Sequence, residues 1–341
     1  MKKGLTAVLT IVLVTGVAML FESCGKGQPQ APPNSEVGLV FDVGGRGDKS
    51  FNDQAYRGLQ MAKDSLGIKY QYIEPGGGSD RESALRQLAN QKSIGLIFGV
   101  GFIFTDDITN VAKAFPDKDF ACIDYTYDST KAVPKNLIPI EFRENEGSFL
   151  VGAIAGLMTK TDKVGFIGGM ESPLIRKFQA GYEAGVKYVN PKCKVLVAYA
   201  GVTGEAFKNP AKGKELALSQ YSQGADIIYH AAGVTGLGVF EAAREMNKYA
   251  IGVDMDQWNE APGHVLTSMV KKGDVAVYKI IKEWKAGKFA GGEPMIFGLK
   301  DNGVDYVYDK NNAPLIPAWV HKRVEKLRAE IIARKIIVPT K

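Results

Sequence analysis

The chain has 341 residues, three cysteines, 45% hydrophobic and 23% charged residues, and a formal net charge of +6. This composition can supply sizeable hydrophobic cores and excludes a disordered chain or a small disulfide scaffold. The basic residues are scattered rather than clustered, which argues against nucleic-acid binding.

The N-terminus has the pattern of a secretory signal over residues 1–23. Lys2 and Lys3 precede an apolar stretch that ends at Leu20 and is too short for a confident membrane span. The residues that follow, Leu20-Phe-Glu-Ser-Cys24, resemble a bacterial lipobox, in which the cysteine is lipidated and becomes the new N-terminus. We therefore expect Cys24 to carry a lipid that anchors the chain to a membrane. A plain secretory signal is the alternative.

Residues 24–35 are rich in Gly, Pro and Gln, a composition that predicts a flexible lipidated tether. If Cys24 carries the lipid, only Cys122 and Cys193 remain, and two cysteines so far apart in sequence do not make a disulfide framework. We expect both to be buried as small hydrophobic side chains.

The first predicted strand and helix flank a glycine-rich loop that runs from Asp42 to Asp48. An apolar run over 37–41 predicts the strand, and apolar residues at helical spacing over 55–66 predict a helix. We expect Ser50 to begin this helix, with Asp53 completing a capping box. The glycines suggest a phosphate loop, but the required Gly-Lys-Ser sequence is missing, and a carboxylate inside the loop would repel phosphate.

The rest of the chain alternates strands and helices in two successive halves. The first half has predicted strands over 68–73, 94–101, 120–124 and 137–142, a helix over 79–90 capped by Ser79, and a helix ending at 114. The second half has predicted strands over 163–169, 194–199, 225–232 and 250–254, and helices after 173, over 212–223 and over 236–247. This alternation predicts an α/β fold with two doubly wound parallel-sheet lobes and a ligand cleft between them.

In two-lobe folds of this kind, the chain usually crosses between the lobes several times, so that segments late in the sequence complete both lobes. We expect residues 36–141 with about 265–297 to form lobe 1, and residues 142–264 with about 298–318 to form lobe 2. Residues 319–341 should hold a C-terminal amphipathic helix and tail. The apolar stripe of that helix falls on Val320, Val324, Leu327 and Ile331, and we interpret it as a packing face rather than a partner-binding one.

Three stretches resemble the basic membrane protein family of bacterial lipoproteins, whose relatives include purine nucleoside receptors of spirochaetes. They are Asp42-x-Gly-x-x-x-Asp48-x-Ser-Phe-Asn52, Gly152-x-x-x-Gly156 after Glu146-Gly147, and Ile251-Gly-Val-Asp-x-Asp-Gln257 followed by Thr267-Ser-Met-Val-Lys271. The resemblance covers roughly residues 36–310. It implies the fold of type I periplasmic binding proteins, no cofactor, and delivery of nucleosides to the permease of an ABC transporter. The protein would face the periplasm or the cell exterior, held by its lipid anchor.

A nucleoside base needs aromatic contacts on its faces and hydrogen-bonding groups along its edge. Phe51, at the start of its helix, and Phe207, in a polar loop, could stack on the base, although either could simply pack locally. Asn52 offers an amide that both donates and accepts. Asp42 and Asp124 end two predicted strands and could accept from the base or from ribose hydroxyls.

The ribose diol is best bound by a carboxylate, because hydrogen bonds to charged groups are stronger. The resemblance points to Asp254 with Lys271 for this role, with Asp256 as the fallback and a surface ion pair as the structural alternative. Gly233 could bring backbone N–H groups close to the ligand or form only a turn. Trp258 could pack on the ligand or against the hinge.

Other functions are less well supported by the sequence. None of the three histidines, His230, His264 and His321, lies near a Ser or Cys in a recognisable motif, so we expect no enzyme. The carboxylates of Asp254-Met-Asp256 alone are too few for calcium, and we expect no metal. A receptor for a sugar, a quorum-signal furanone or a vitamin remains an alternative, as does an adhesin or structural lipoprotein. A cytoplasmic repressor is disfavoured because the sequence lacks an N-terminal helix-turn-helix.

Overall fold

The computed structural model describes residues 34–75 and 80–341. The predicted signal, Cys24, the tether up to residue 33 and the predicted cap Ser79 lie outside these ranges. Within them, no helix has both the length and the apolar character that crossing a bilayer requires.

Two six-stranded sheets, one in each lobe, form the framework of the described chain. The strands are β1 (Glu36–Val40), β2 (Lys69–Ile73), β3 (Ile94–Val100), β4 (Asp119–Ile123), β5 (Leu137–Phe142), β6 (Lys163–Met170), β7 (Lys194–Gly201), β8 (Ile227–Ala231), β9 (Tyr249–Asp254), β10 (Val265–Lys271), β11 (Met295–Phe297) and β12 (Val304–Tyr306). The order in lobe 1 is β11-β5-β4-β3-β1-β2, and the order in lobe 2 is β12-β10-β9-β8-β6-β7. Only the β10–β12 pair is antiparallel among these strands. The predicted fold of two parallel-sheet α/β lobes is confirmed.

Helices cover both faces of each sheet, as buried parallel strands require. They are α1 (Phe51–Leu66), α2 (Arg81–Ala89), α3 (Thr105–Ala114), α4 (Glu144–Met158), α5 (Pro173–Val189), α6 (Pro210–Ser222), α7 (Gly236–Glu245), α8 (Gly273–Lys285) and α9 (Ala318–Ile332). In lobe 1, Leu85, Ile97 and Val111 share an apolar cluster beneath α2 and α3. The opposite face carries α1, which packs against α8.

The chain crosses between the lobes three times, and one predicted crossing is wrong. It passes from β5 of lobe 1 to α4 of lobe 2, from β10 back to α8, and from β11 to β12. We predicted residues 265–297 in lobe 1, but β10 lies in lobe 2 because it pairs with both β9 and β12. Only the part from α8 to β11 returns to lobe 1, where β11 pairs with β5.

Helices α4 and α5 pack unusually closely because glycines face the partner backbone. A Cβ atom at Gly152 would lie 2.2 Å from the carbonyl oxygen of Tyr182, and one at Gly185 would lie 2.0 Å from that of Phe149. The second face of α4 contacts α9, whose buried residues are Val320, Val324, Leu327 and Ile331. The free cysteines Cys122 and Cys193 are both buried.

Candidate functional site

A cavity lies between the lobes, at the carboxyl ends of the central strands. The empty space within it is about 500 Å³, a figure that includes open solvent at its mouth. The structure brings all eight residues of the predicted ligand site to the lining of this one cavity: Asp42, Phe51, Asn52, Asp124, Phe207, Gly233, Asp254 and Lys271.

The loop before α1 is held by Asp48, which replaces the predicted capping box. The Asp48 carboxylate accepts hydrogen bonds from the backbone N–H groups of Ser50 (2.9 Å), Asn52 (2.8 Å) and Asp53 (3.1 Å). The Ser50 side chain makes no cap bond, and Asp53 instead accepts from the N–H of Gly47. The prediction was wrong because the carboxylate within the loop reaches the free N–H groups first, which releases the Ser50 hydroxyl for another partner.

Asn52 projects into the cavity in a fixed orientation. Its amide oxygen accepts from the backbone N–H of Asp42 (2.9 Å), and its amide nitrogen donates to Asp48 (3.0 Å). The Asp42 carboxylate accepts from the N–H of Val43 at 2.6 Å. Burial raises the pKa of Asp42 to about 7 and that of Asp48 to about 6. The second amide hydrogen points to the carbonyl oxygen of Val43 at 3.5 Å, whereas one lone pair of the amide oxygen is left over, so Asn52 can still accept from a ligand.

Asp124 and Asp254 occupy equivalent positions in the two lobes, just after β4 and at the end of β9. Both have a left-handed backbone, with φ of 60° and 64°. Such conformations are costly for residues other than glycine and cluster at binding sites. Each turns a carboxylate towards the cavity, and both side chains are almost fully buried. One oxygen of Asp124, Oδ1, finds no hydrogen-bond partner among the described residues.

Lys271 lies between these carboxylates at the end of β10. Its Nζ is 2.6 Å from Asp124, 3.8 Å from Glu144 and 4.0 Å from Asp254. Burial by itself would lower the pKa of Lys271, but the three carboxylates outweigh burial and raise it. Burial also raises the pKa of Asp254, against the opposing charge of Lys271 and the Ser50 hydrogen bond. The lysine is therefore a counter-ion that keeps this buried acidic group together.

Aromatic rings supply much of the remaining surface. The Lys271 ammonium lies 4.5 Å from the centre of the Phe51 ring. Phe207 rests on the backbone of Gly169, where a Cβ atom would come within 2.3 Å of the ring, and it packs against Phe102 in a T-shaped arrangement with ring centroids 6.4 Å apart. Gly233 has φ of +54°, which a glycine adopts without strain.

The sequence analysis missed several residues that line the cavity or lie behind its lining. Phe102 follows β3 directly and could have been found by the same strand-end argument that identified Asp124. Phe178 lies on α5, which begins at the cap Ser172, and belongs to an apolar stripe that the sequence does not distinguish from core. Glu144, which is fully buried behind Lys271, carried no local signal.

Two further candidates lie outside the cavity. Asp256 is exposed, and its carboxylate accepts from the N–H of Trp258. Trp258 packs against an apolar cluster of lobe 2. The described residues contain no group of three or more His, Cys, Asp or Glu side chains suited to a metal ion.

The histidines are engaged elsewhere in the fold. His230 contacts Gln257, His264 contacts the carbonyl of Lys248, and His321 contacts Tyr306. None of the three lines the cavity.

The cavity is suited to a flat, uncharged ligand with hydrogen-bond donors. Among the described residues that line it, Lys271 is the only cation, and it is already paired with carboxylates. An anionic group such as a phosphate would therefore meet four acidic side chains, those of Asp42, Asp48, Asp124 and Asp254, and no free positive charge. Aromatic rings and acidic oxygens favour a ring system with N–H or O–H groups.

A family model for the ABC transporter substrate-binding proteins described as PnrA-like matches residues 35–341. The CD4+ T-cell-stimulating antigen of Listeria innocua is 36% identical and covers 100% of this chain and 99% of its own. Basic membrane protein A of Borreliella burgdorferi is 36% identical, over 97% of this chain and 95% of that protein. An uncharacterized lipoprotein of Pyrococcus abyssi is 39% identical, over 80% of this chain and 68% of that protein.

Solved structures agree with this assignment. A solute-binding protein of an ABC transporter from Aeropyrum pernix K1 superimposes with a TM-score of 0.80 at 29% identity, and covers 90% of this chain and 94% of its own. A second such protein, from Conexibacter woesei, has a TM-score of 0.71 at 23% identity, with coverages of 89% and 98%, and supports the fold.

Proposed function

The chain belongs to the PnrA-like family of ABC transporter substrate-binding proteins, and from this premise we propose that it is a lipid-anchored receptor for nucleosides, purine nucleosides above all. The family binds a small molecule outside the cytoplasm and works with a transporter permease. It is a family of binding proteins rather than enzymes. The nucleoside as ligand and the lipid anchor are our proposals beyond this family membership.

The observation that carries the proposal is the pairing of aromatic rings with acidic groups around a cavity in which Lys271, the only cation on the described lining, is neutralised. Phe51 comes from lobe 1 and Phe207 from lobe 2, so a flat base held between the lobes would contact both rings. Stacking on an aromatic side chain contributes about 1–3 kcal/mol per base in nucleic-acid complexes. The absence of a free cation on the described lining supports a nucleoside over a nucleotide.

We assign the edge of the base to lobe 1. The Asn52 amide oxygen retains a lone pair, and the buried Oδ1 of Asp124 has no hydrogen-bond partner among the described residues. Asp42 adds a third group at the mouth of the cavity. This combination of one amide and two carboxyl groups matches a purine edge that carries N–H groups.

We assign the ribose to lobe 2. Asp254, supported by Lys271, would accept from the diol, and Gly233 would let the sugar approach the backbone. Hydrogen bonds from ribose hydroxyls to a carboxylate are charge-assisted and strong. Because the ligand would contact residues of both lobes, its binding would favour the closed arrangement.

A thermal-shift series on the full chain in detergent tests the ligand. We expect inosine, guanosine or adenosine to raise the melting temperature in proportion to the logarithm of concentration, and ribose and nucleoside monophosphates to have little effect. Phe207→Ala should abolish most of the shift. Trp319→Ala, which removes a ring that is 60% exposed on α9, should not. A shift with free sugars and none with any nucleoside would overturn the ligand assignment.

The anchor rests on the lipobox-like sequence that ends at Cys24 and on relatives named as lipoproteins. In cells, the wild-type chain should fractionate with membranes and incorporate labelled fatty acid. Cys24→Ser should do neither. If the serine variant stays in the membrane fraction, the anchor lies elsewhere.

A further inference from the structure

Three buried side chains outside the cavity lining join the two lobes by hydrogen bonds. The Ser50 hydroxyl donates to the Asp254 carboxylate at 2.5 Å. The Gln54 amide donates to the carbonyl of Asp254 at 2.8 Å, and the Gln257 amide donates to the carbonyl of Lys49 at 2.8 Å. We infer that Ser50, Gln54 and Gln257 form a latch that holds the lobes closed and thereby sets the rate at which ligand leaves.

Gln257 is fixed within lobe 2 before it reaches across the cleft. Its Oε1 accepts from the N–H of Val253 at 2.8 Å and lies 3.1 Å from Nε2 of His230. Burial lowers the pKa of His230 to about 4, so the ring is neutral near pH 7. Because the backbone N–H of Val253 is a donor that faces Oε1, the amide turns its NH₂ group towards lobe 1, which pre-organises the bond to Lys49.

Among the described residues, the Gln54 side chain makes hydrogen bonds to lobe 2 alone. Its amide nitrogen donates to the carbonyls of Asp254 and, at 3.4 Å, of Lys271, both in lobe 2. Its Oε1 finds no hydrogen-bond partner among the described residues. Replacing this side chain should therefore weaken closure without breaking a hydrogen bond inside lobe 1.

The backbone groups that accept these bonds come from strained residues. Lys49 and Asp254 have φ of 54° and 64°, in the left-handed region that disfavours side chains. Strain of this kind persists where the surroundings fix the conformation, and here it directs two carbonyls across the cleft. Asp254 also carries the carboxylate that we assign to the ribose, so closing the latch and positioning that group are one event.

The first test measures closure without ligand. Spin labels on Ser129→Cys and Thr203→Cys, exposed positions in lobe 1 and lobe 2, report the distance between the lobes in the full chain. Native Cys122 and Cys193 are buried. Gln54→Met should shift the distance distribution towards the open state. This measurement does not need a nucleoside, so it tests the latch even if the proposed function fails.

The second test, which rests on the proposed function, measures the release of inosine by stopped flow. Gln54→Met should raise the dissociation rate about three- to tenfold, as expected for one or two neutral hydrogen bonds. The association rate should change little, because the cavity lining is intact.

Gln220→Met is the matched control. The Gln220 amide also donates to two backbone carbonyls, those of Phe166 and Leu196, and also has an unpaired Oε1, but all three residues belong to lobe 2. It should lower the melting temperature and leave both the distance distribution and the dissociation rate unchanged. Equal effects of the two variants, or an unchanged distance distribution in Gln54→Met, would overturn the latch.

Discussion

Lys271 is the residue on which the charge balance of the cavity depends. It is buried and within 4.0 Å of three carboxylates, two of which, Asp124 and Asp254, come from equivalent positions in opposite lobes. Buried ion pairs add little net stability, but removing one partner leaves the others uncompensated. The lysine therefore stabilises the site as well as the fold.

Lys271→Met should lower the free energy of unfolding by about 3–5 kcal/mol, because it leaves buried acids without a counter-ion. Urea titration of the full chain measures this loss. Lys326→Met is the control: that lysine is 66% exposed and pairs with Glu330 on the surface of α9, so its loss should cost less than about 1 kcal/mol. Similar losses for the two variants would contradict the role given to Lys271.

Asp42 should make stability depend on pH. Its pKa is raised by burial to about 7 from an ordinary 3.8, so the folded chain binds the proton more tightly than the unfolded chain. Its contribution to stability is thus full at low pH and is lost as pH rises through 7. Asp42→Asn should remove this part of the slope between pH 4.5 and 7.5 in urea titrations. Asp64→Asn, at an exposed position on α1, should keep it. A curve for Asp42→Asn that runs parallel to the wild type would refute the assignment.

At this scale the positions of Asp42 and Asp124 beside the cavity were predictable, because the carboxyl ends of parallel strands meet at one edge of a sheet. Asp254 and Lys271, from the other lobe, were identified through the family resemblance. Phe178 was missed because a residue facing a cavity and one facing the core have the same helical periodicity. Glu144 was missed because its burial depends on lysines that are distant in the sequence.

At the scale of elements, most strands and helices were predicted within a few residues, since continuous apolar runs and helical spacing dominate this chain. The short strands β11 and β12 were not predicted, and the start of α1 was a further exception. The N–H groups at its start are capped by the Asp48 carboxylate in the loop and not by the Ser50 hydroxyl, which the residue spacing alone does not reveal. Because the Ser50 hydroxyl makes no cap bond, it is free to donate to Asp254.

The glycines of α4 and α5 set how closely these helices pack. Gly152→Ala would place a Cβ atom 2.2 Å from the carbonyl oxygen of Tyr182, and main-chain atoms cannot move away cheaply. We expect a loss of about 1–3 kcal/mol in the free energy of unfolding, measured by urea titration.

Gly273→Ala, in the first turn of α8, is the control for this packing. Its new Cβ atom would come no closer than 3.7 Å to its nearest neighbour, Gln54. Stability should be unchanged or slightly higher, because alanine favours the helix. A loss in this control equal to that of Gly152→Ala would show that the helical backbone, and not the packing, is sensitive.

At the scale of the whole molecule, the two-lobe architecture was predictable because the strand–helix alternation restarts halfway along the chain. The residues at which the chain crosses from one lobe to the other were not predictable from the sequence. Residues 265–271 were placed in the wrong lobe because a buried strand has the same apolar pattern in either sheet. The pairing of this strand with β9 and β12 is what assigns it to lobe 2. The consequence is that Lys271 ends a lobe-2 strand and meets Asp124 of lobe 1 across the cleft.

The most direct test of the central claim is a crystal structure of the protein with inosine. We predict the base between Phe51 and Phe207, its edge on Asn52 and Asp124, and the ribose diol on Asp254, with Lys271 still bound to Asp124. Inosine bound outside the inter-lobe cavity, or held there with both phenyl rings turned away from the base, would contradict the account.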